Sequence, residues 1–199
     1  MTTDMLLQHL FIVLVSVILT IIVGVPLGVC AYFYPAARRV ILRVVEILQT
    51  VPALALLGII MVFLGAGKQT AIIGLLLYSL LPVVQNTYVG LSEIDPAIKE
   101  VATGMGMTRM YRLIHVELQI AFPLIFTGIR IATVTSVGVA VFATFVGGGG
   151  LGKVIYQGIR TSNMQLILSS TLALMIMAVL FDAVMGFIEK WLKRRFSGR

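Results

Sequence analysis

Residues able to do acid–base, nucleophilic or metal chemistry are few in this chain and are not spaced for it. Its 199 residues hold two histidines, His9 and His115, one cysteine, Cys30, and eight acidic residues. No CxxC pair or Cys/His cluster with metal-ligand spacing occurs, so no catalytic residue and no metal site is assigned. Gly147-x-Gly149-x-x-Gly152 has the letters of a dinucleotide fingerprint. It follows a long apolar stretch, where the fingerprint needs a strand in a βαβ unit, and is rejected. Gly65-Ala-Gly67-Lys68 lacks the upstream glycine of a phosphate loop, and Gln69 stands where Ser or Thr would hold magnesium. The chain is therefore not expected to be an enzyme or to hydrolyse ATP itself.

The elements that carry these residues explain the scarcity. Hydrophobic residues make up 59% of the chain, charged residues 12%, and the mean hydropathy is +1.07. A soluble domain averages about 25% charged. The charge-free windows run 5–37, 47–67, 69–92, 131–152 and 161–181. Each is long enough to cross a bilayer, which takes about 20 apolar residues. A soluble globular domain, a disordered chain and a disulfide scaffold are excluded. The reading is an all-α polytopic membrane protein, one transmembrane domain over 1–199 with five spans near 9–33, 46–65, 70–90, 120–146 and 164–189. The first apolar stretch is too long for a signal peptide and has no basic leader, so it is read as a retained span.

Loops at 34–45 and 91–119 and the C-terminal tail then share one face. They carry Arg38, Arg39, Arg43, Lys99, Arg109, Arg112, Lys190, Lys193, Arg194, Arg195 and Arg199. The other face carries Lys68, Lys153 and Arg160. Basic residues collect on the cytoplasmic side, which puts the N-terminus outside and the C-terminus inside. It also puts the two histidines on opposite sides of the membrane. Gly24, Pro26, Gly28, Pro52, Gly58, Gly74 and Pro82 interrupt the first three spans, which points to a packed bundle that re-satisfies their backbone groups.

The 91–119 loop is the one long segment outside the spans. Asp95-Pro96 is a helix start, an acceptor side chain followed by proline at the first helical position. Gly104 and Gly106 can end that helix, and Thr108 can cap a second one running toward 118. Met105, Met107, Met110 and Tyr111 cluster in this basic loop. Methionine adapts to irregular grooves, and a short helix with such anchors suits docking into a groove on a partner.

Arg130 and Asp182 fall inside the spans, each about 12 Å deep at 1.5 Å per residue. Intramembrane charges are normally paired or face a cavity. The expectation is an Arg130–Asp182 pair between the fourth and fifth spans, with Glu46 as the second candidate partner of Arg130. Tyr78, Phe142, Phe145 and Tyr156 are the aromatic faces that could meet a cation along a pathway, with Thr50 and Asn86 as polar contacts.

A family resemblance rests on these residues. Glu100-Val-Ala102 with Gly106 six positions after the glutamate resembles the EAA---G signature of the permease subunits of ABC importers. Asp95-Pro96, Gly104-Met-Gly-Met-Thr108, Leu81-Pro82, Asn86-Thr-Tyr-Val-Gly90, Gly128-Ile-Arg130 and Gly147–Gly152 resemble the osmoprotectant branch, which imports glycine betaine, carnitine or choline. The resemblance covers essentially the whole chain. It implies the MetI-like permease core and a bacterial cytoplasmic membrane. It implies that 95–111 is a coupling helix docking on a cytoplasmic ATPase dimer, with Asp95, Pro96, Glu100, Ala102, Gly104, Met105, Gly106, Met107 and Thr108 at the contact. ATP and magnesium would sit on that partner, and this chain would bind no cofactor. A separate extracytoplasmic binding protein and a second permease subunit, identical or paralogous, are the other expected partners. No nucleic acid is expected.

Two positions depart from the family pattern. Val116-Glu-Leu118-Gln119 lacks the proline usual after Leu118, and the next proline is Pro123. Gln85 stands where arginine is common. The nearest alternative is the permease of a methionine-type or other small-solute importer. A channel or secondary transporter is the more distant one; the chain shows no internal repeat of the kind secondary transporters carry.

Overall fold

The computed structural model describes residues 3–196. Arg199 of the basic set lies outside them, as do the side chains of Lys193 and Arg195. The described residues are helical, with no strand among them.

The first helix, α1, runs Thr3–Phe33 with Pro26 inside it. Tyr34 is extended, and Pro35 opens α2 (Pro35–Thr50) at its first position. Val51 and Pro52 break the chain before α3 (Ala53–Leu64). Proline lacks the N–H that would continue α2 and pushes the residue before it out of the helical region. Val51 accordingly sits at φ −68°, ψ 130°. The result corrects the second span. Residues 46–65 do not form one straight helix, because α2 and α3 meet at a 105° bend. The expected loop 34–45 is the first part of α2, with its charges on one face of a helix.

The third span is α4 (Lys68–Tyr78) followed by α5 (Leu80–Ser92), joined at Ser79. Ser79 and Ser136 share a 2.9 Å hydrogen bond at this joint, both buried. After α6 (Pro96–Gly104) comes α7 (Arg109–Arg112). A π turn over Leu113–Glu117 leads directly into α8 (Leu118–Val139), which closes with a 3₁₀ segment, Ala140–Val146. The chain is thus one continuous helical stretch from Arg109 to Val146. The second helix expected in the 91–119 loop is the foot of the fourth span, not a separate piece. A short helix α9 (Gly152–Arg160) follows in the connection between the fourth and fifth spans, and α10 (Met164–Phe196) ends the described fold.

Four stretches are long and apolar enough to cross a bilayer alone, and the bent α2–α3 pair brings the number to five. The centre of the bundle is α5, packed between α1 and α8. A Cβ on Gly28 of α1 would stand 2.8 Å from the carbonyl oxygen of Val84, so only glycine permits this approach. One core cluster joins Ile12, Val13 and Val17 to Leu57, Leu75 and Val137. A second joins Val83 and Leu91 to Leu113, Ile125 and Ile129. Both run across α1, the third span and α8, so these three elements form the scaffold on which α6 and α10 are mounted.

Candidate functional site

Local chemistry builds α6 at the basic end of the bundle. Asp95 accepts the N–H of Ala97 at 2.8 Å, and Pro96 follows it. The helix stops where Met105 donates to the Val101 carbonyl and Gly106 turns to φ +80°. Thr108 then accepts the N–H of Tyr111 and starts α7. Ala102 is the buried residue of α6; Glu100, Val101 and Gly104 are exposed and so is Met105, just beyond. Met107 is half-buried and Thr108 exposed. Val101 (64%), Met105 (72%), Met110 (60%) and Tyr111 (51%) leave large apolar surface open beside Glu100. Soluble surfaces scatter such residues singly; here four fall within residues 101–111, around one turn.

Cations fasten this unit to the bundle. Lys99 donates to the Leu91 carbonyl at 3.1 Å and stands over the ring of Tyr32. Arg109 covers the ring of Phe33 with its guanidinium 4.3 Å from the ring centre. Arg112 donates to Thr103 Oγ1 and to Glu117 Oε1, each at 2.6 Å. Sequence reasoning missed Glu117, which is buried at 1% exposure. The available signal was its position: an acid five residues after Arg112, on the first turn of an otherwise apolar span.

In the bundle, Arg130 donates to Asp182 Oδ1 at 2.8 Å and to Glu189 Oε2 at 2.7 Å. Thr127 donates to the other Glu189 oxygen at 2.8 Å. Glu46 is not a partner of Arg130: it lies 4.0 Å from Arg43 on the exposed side of α2. Half-exposed Asp182 is not the one acid in this region, since buried Glu189 binds the same guanidinium. Seven residues apart on one helix, the two carboxylates share a face. That spacing could have revealed Glu189, which its neighbour Lys190 made look like a span end.

The proposed pathway residues do not form one site. Phe142 and Phe145 lie 6.5 Å apart, and Tyr156 meets Phe145 edge-on at 5.2 Å. Arg160 stands 5.9 Å from the Tyr156 ring centre. A cavity of about 590 Å³ opens beside them, lined by Thr144, Gly149, Lys153, Tyr156 and Arg160 among others. Thr50 and Asn86 bond instead to carbonyls of their own helices, Ile47 and Pro82. Tyr78 is half-buried at the end of α4, and Gln85 and Gln119 are exposed. His9, at the start of α1, bonds the Val137 carbonyl, whereas His115 stacks on Tyr111 at the foot of the fourth span. No metal-binding cluster exists among the described residues.

Comparison with known proteins decides what kind of bundle this is. The profile of a family described as the binding-protein-dependent transport system inner membrane component matches residues 16–198. The chain belongs to this family. It is a multi-pass membrane permease subunit. It is 39% identical over 184 residues to the glycine betaine/carnitine/choline transport system permease protein OpuCD of Bacillus subtilis, covering 92% of this chain and 80% of that one. It is 38% identical to the carnitine transport permease protein OpuCD of Listeria monocytogenes, covering 93% and 83%. The osmoprotectant import permease protein OsmW of Salmonella typhimurium is 37% identical, with 88% and 84% covered. Among solved structures, a chain of the inward-facing MetNI methionine ABC transporter superposes with a TM-score of 0.85 at 25% identity, covering 96% of this chain and 99% of that one. The fold is therefore the all-helical MetI-like permease core.

Proposed function

We propose that this permease is the transmembrane subunit of an ATP-driven importer of quaternary-amine osmoprotectants, of the glycine betaine, carnitine and choline class. The carrying observation is α6: a capped, exposed helix that presents Glu100 with a rim of open apolar side chains and ends on Gly106. It stands at the end of the bundle where basic residues gather, which the positive-inside rule assigns to the cytoplasm of a bacterial cell membrane. A cytoplasmic ATPase dimer binds α6 through the side chains of Val101 and Met105, and holds the ATP and magnesium. Closure of the two ATPases displaces α6, and the bundle switches between two packings as rigid bodies. A separate binding protein delivers the solute to the opposite end, beside Phe145, Tyr156 and Arg160. A second permease subunit completes the path. Relatives in Bacillus subtilis carry the paired names OpuCB and OpuCD, at 38% and 39% identity to this chain, which supports a paralogue as the second subunit over an identical copy.

The test is uptake into lipid vesicles containing the permease, its ATPase and its binding protein. Uptake of glycine betaine, carnitine or choline that needs ATP and the binding protein is the expected result. A methionine-type importer is the second reading, favoured by the likeness to the MetNI chain. Methionine uptake without quaternary-amine uptake would establish it in place of the first.

A further inference from the structure

Helix α6 buries little of itself, Ala102 being the buried one of its nine residues, and polar side chains hold it to the bundle. Its backbone connection to the fourth span is one short turn. Residues 104–108 pass through Gly106 at φ +80°, with Gly106 donating to the Thr103 carbonyl and Met107 to the Ala102 carbonyl. One side chain bypasses that turn. Arg112 grips Thr103 Oγ1 on the α6 side and Glu117 Oε1 on the span side, each at 2.6 Å. A longer contact, 3.5 Å, runs from Arg112 to the Lys99 carbonyl, one turn earlier on α6.

The span end of this bridge is built at a cost. Glu117 is 1% exposed, and its Oε2 has no hydrogen-bond partner among the described residues. A well-packed apolar residue avoids such a penalty, so stability alone does not account for the acid. The backbone around it is a π turn, with the N–H of Leu118 donating to the Leu113 carbonyl. Such turns recur where helices carry a functional demand.

We propose that Arg112 and Glu117 are positioning residues: a strut that carries movement of α6 into the fourth span and keeps ATP hydrolysis in step with opening of the bundle. This rests on α6 being the ATPase-contacting helix. Lys99 ties the same helix to the end of α5 through the Leu91 carbonyl.

The experiment uses the complete complex in lipid vesicles and reads two quantities: solute imported per ATP, and stimulation of hydrolysis by loaded binding protein. Glu117→Gln keeps the shape and removes the charge. Import per ATP falls by about fivefold or more, the lower end of typical coupling strengths, while hydrolysis continues and no longer responds to the binding protein. Thr103→Val cuts the exposed end of the strut and gives a smaller loss of the same kind. Full import per ATP in Glu117→Gln overturns the proposal. So does a parallel fall of hydrolysis and import at a constant ratio, which marks simple loss of docking or folding. If Glu117→Gln fails to assemble, Thr103→Val decides, and unchanged coupling there overturns the strut. Failure of the transport reading shows separately, as no quaternary-amine uptake by the unaltered complex. In that event the strut stands or falls on binding-protein stimulation alone.

Discussion

Arg130 of α8 and Glu189 of α10 are joined by a 2.7 Å ion pair that ties the fourth and fifth spans together, and Asp182 holds the same guanidinium from one side. The two acids are not equivalent. Asp182 is half-exposed, whereas Glu189 is buried and also accepts from Thr127. Truncating Glu189 removes the buried one of two carboxylates on Arg130 and one of two acceptors of Thr127, which also bonds the Pro123 carbonyl; the cost of breaking a buried pair, up to about 3–5 kcal/mol, sets its ceiling. Truncating an exposed partner costs about 1 kcal/mol or less. Glu189→Ala is thus expected to lower thermal stability in detergent well beyond Asp182→Ala. Equal shifts, or the reverse order, would refute this ranking.

Gly186 makes room for that pair. A Cβ there would stand 3.2 Å from the Arg130 guanidinium carbon. Alanine is tolerated with a small shift of the flexible arginine. A branched side chain displaces the guanidinium, so Gly186→Val is expected to destabilise the protein about as much as Glu189→Ala. The check is a double variant: Gly186→Val adds little to Glu189→Ala if both act on one pair.

At Gly106 the backbone lies at φ +80°, where a residue with a Cβ costs about 1–2 kcal/mol. Nothing lies within 4 Å of a Cβ built there, so the folded subunit has space for a side chain. Gly106→Leu is expected to insert into membranes normally and to abolish transport, through a strained turn and a bulky group at the ATPase contact. Transport at the unaltered rate would remove Gly106 from that contact.

Val101 and Met105 are the open apolar anchors of α6. Placing charge in the proposed groove contact, as in Met105→Glu, is expected to weaken ATPase association by tenfold or more, about 1.4 kcal/mol. Affinity measured between detergent-purified permease and ATPase tests it. The expected contrast is Ile159→Glu at the opposite end of the bundle, also exposed, which leaves ATPase affinity unchanged.

How much of this could be read from the sequence depends on how local its cause is. The cap at Asp95 and the turn at Gly106 follow from the residues themselves, and both appear as expected. The Arg130–Asp182 contact was accessible because two charges stood out in apolar surroundings. Glu117 and Glu189 carried a weaker signal, since each sits at a span end where a charge looks ordinary; burial by neighbouring helices gives them their roles. The part of α2 within 34–45 reads as a loop from its charge content. Helical period rather than composition describes it, with Val45 inward and Arg43 outward. The fusion of α7 with α8 depends on a π turn around a buried ion pair, which no local pattern announces.

The bend at Val51–Pro52 has a consequence of its own. Helix α3 has 12 residues, about 18 Å at 1.5 Å per residue, well short of a hydrocarbon core of about 30 Å. A crossing by the bent pair includes the end of α2, where the Ile47 carbonyl takes the Thr50 hydroxyl and the carbonyls after it have no helical partner beyond the break. Lipid offers no hydrogen bonds to such groups, and irregular backbone at membrane depth is tolerated only against protein or water. The corner between α2 and α3 consequently marks a side of the subunit that faces away from the acyl chains.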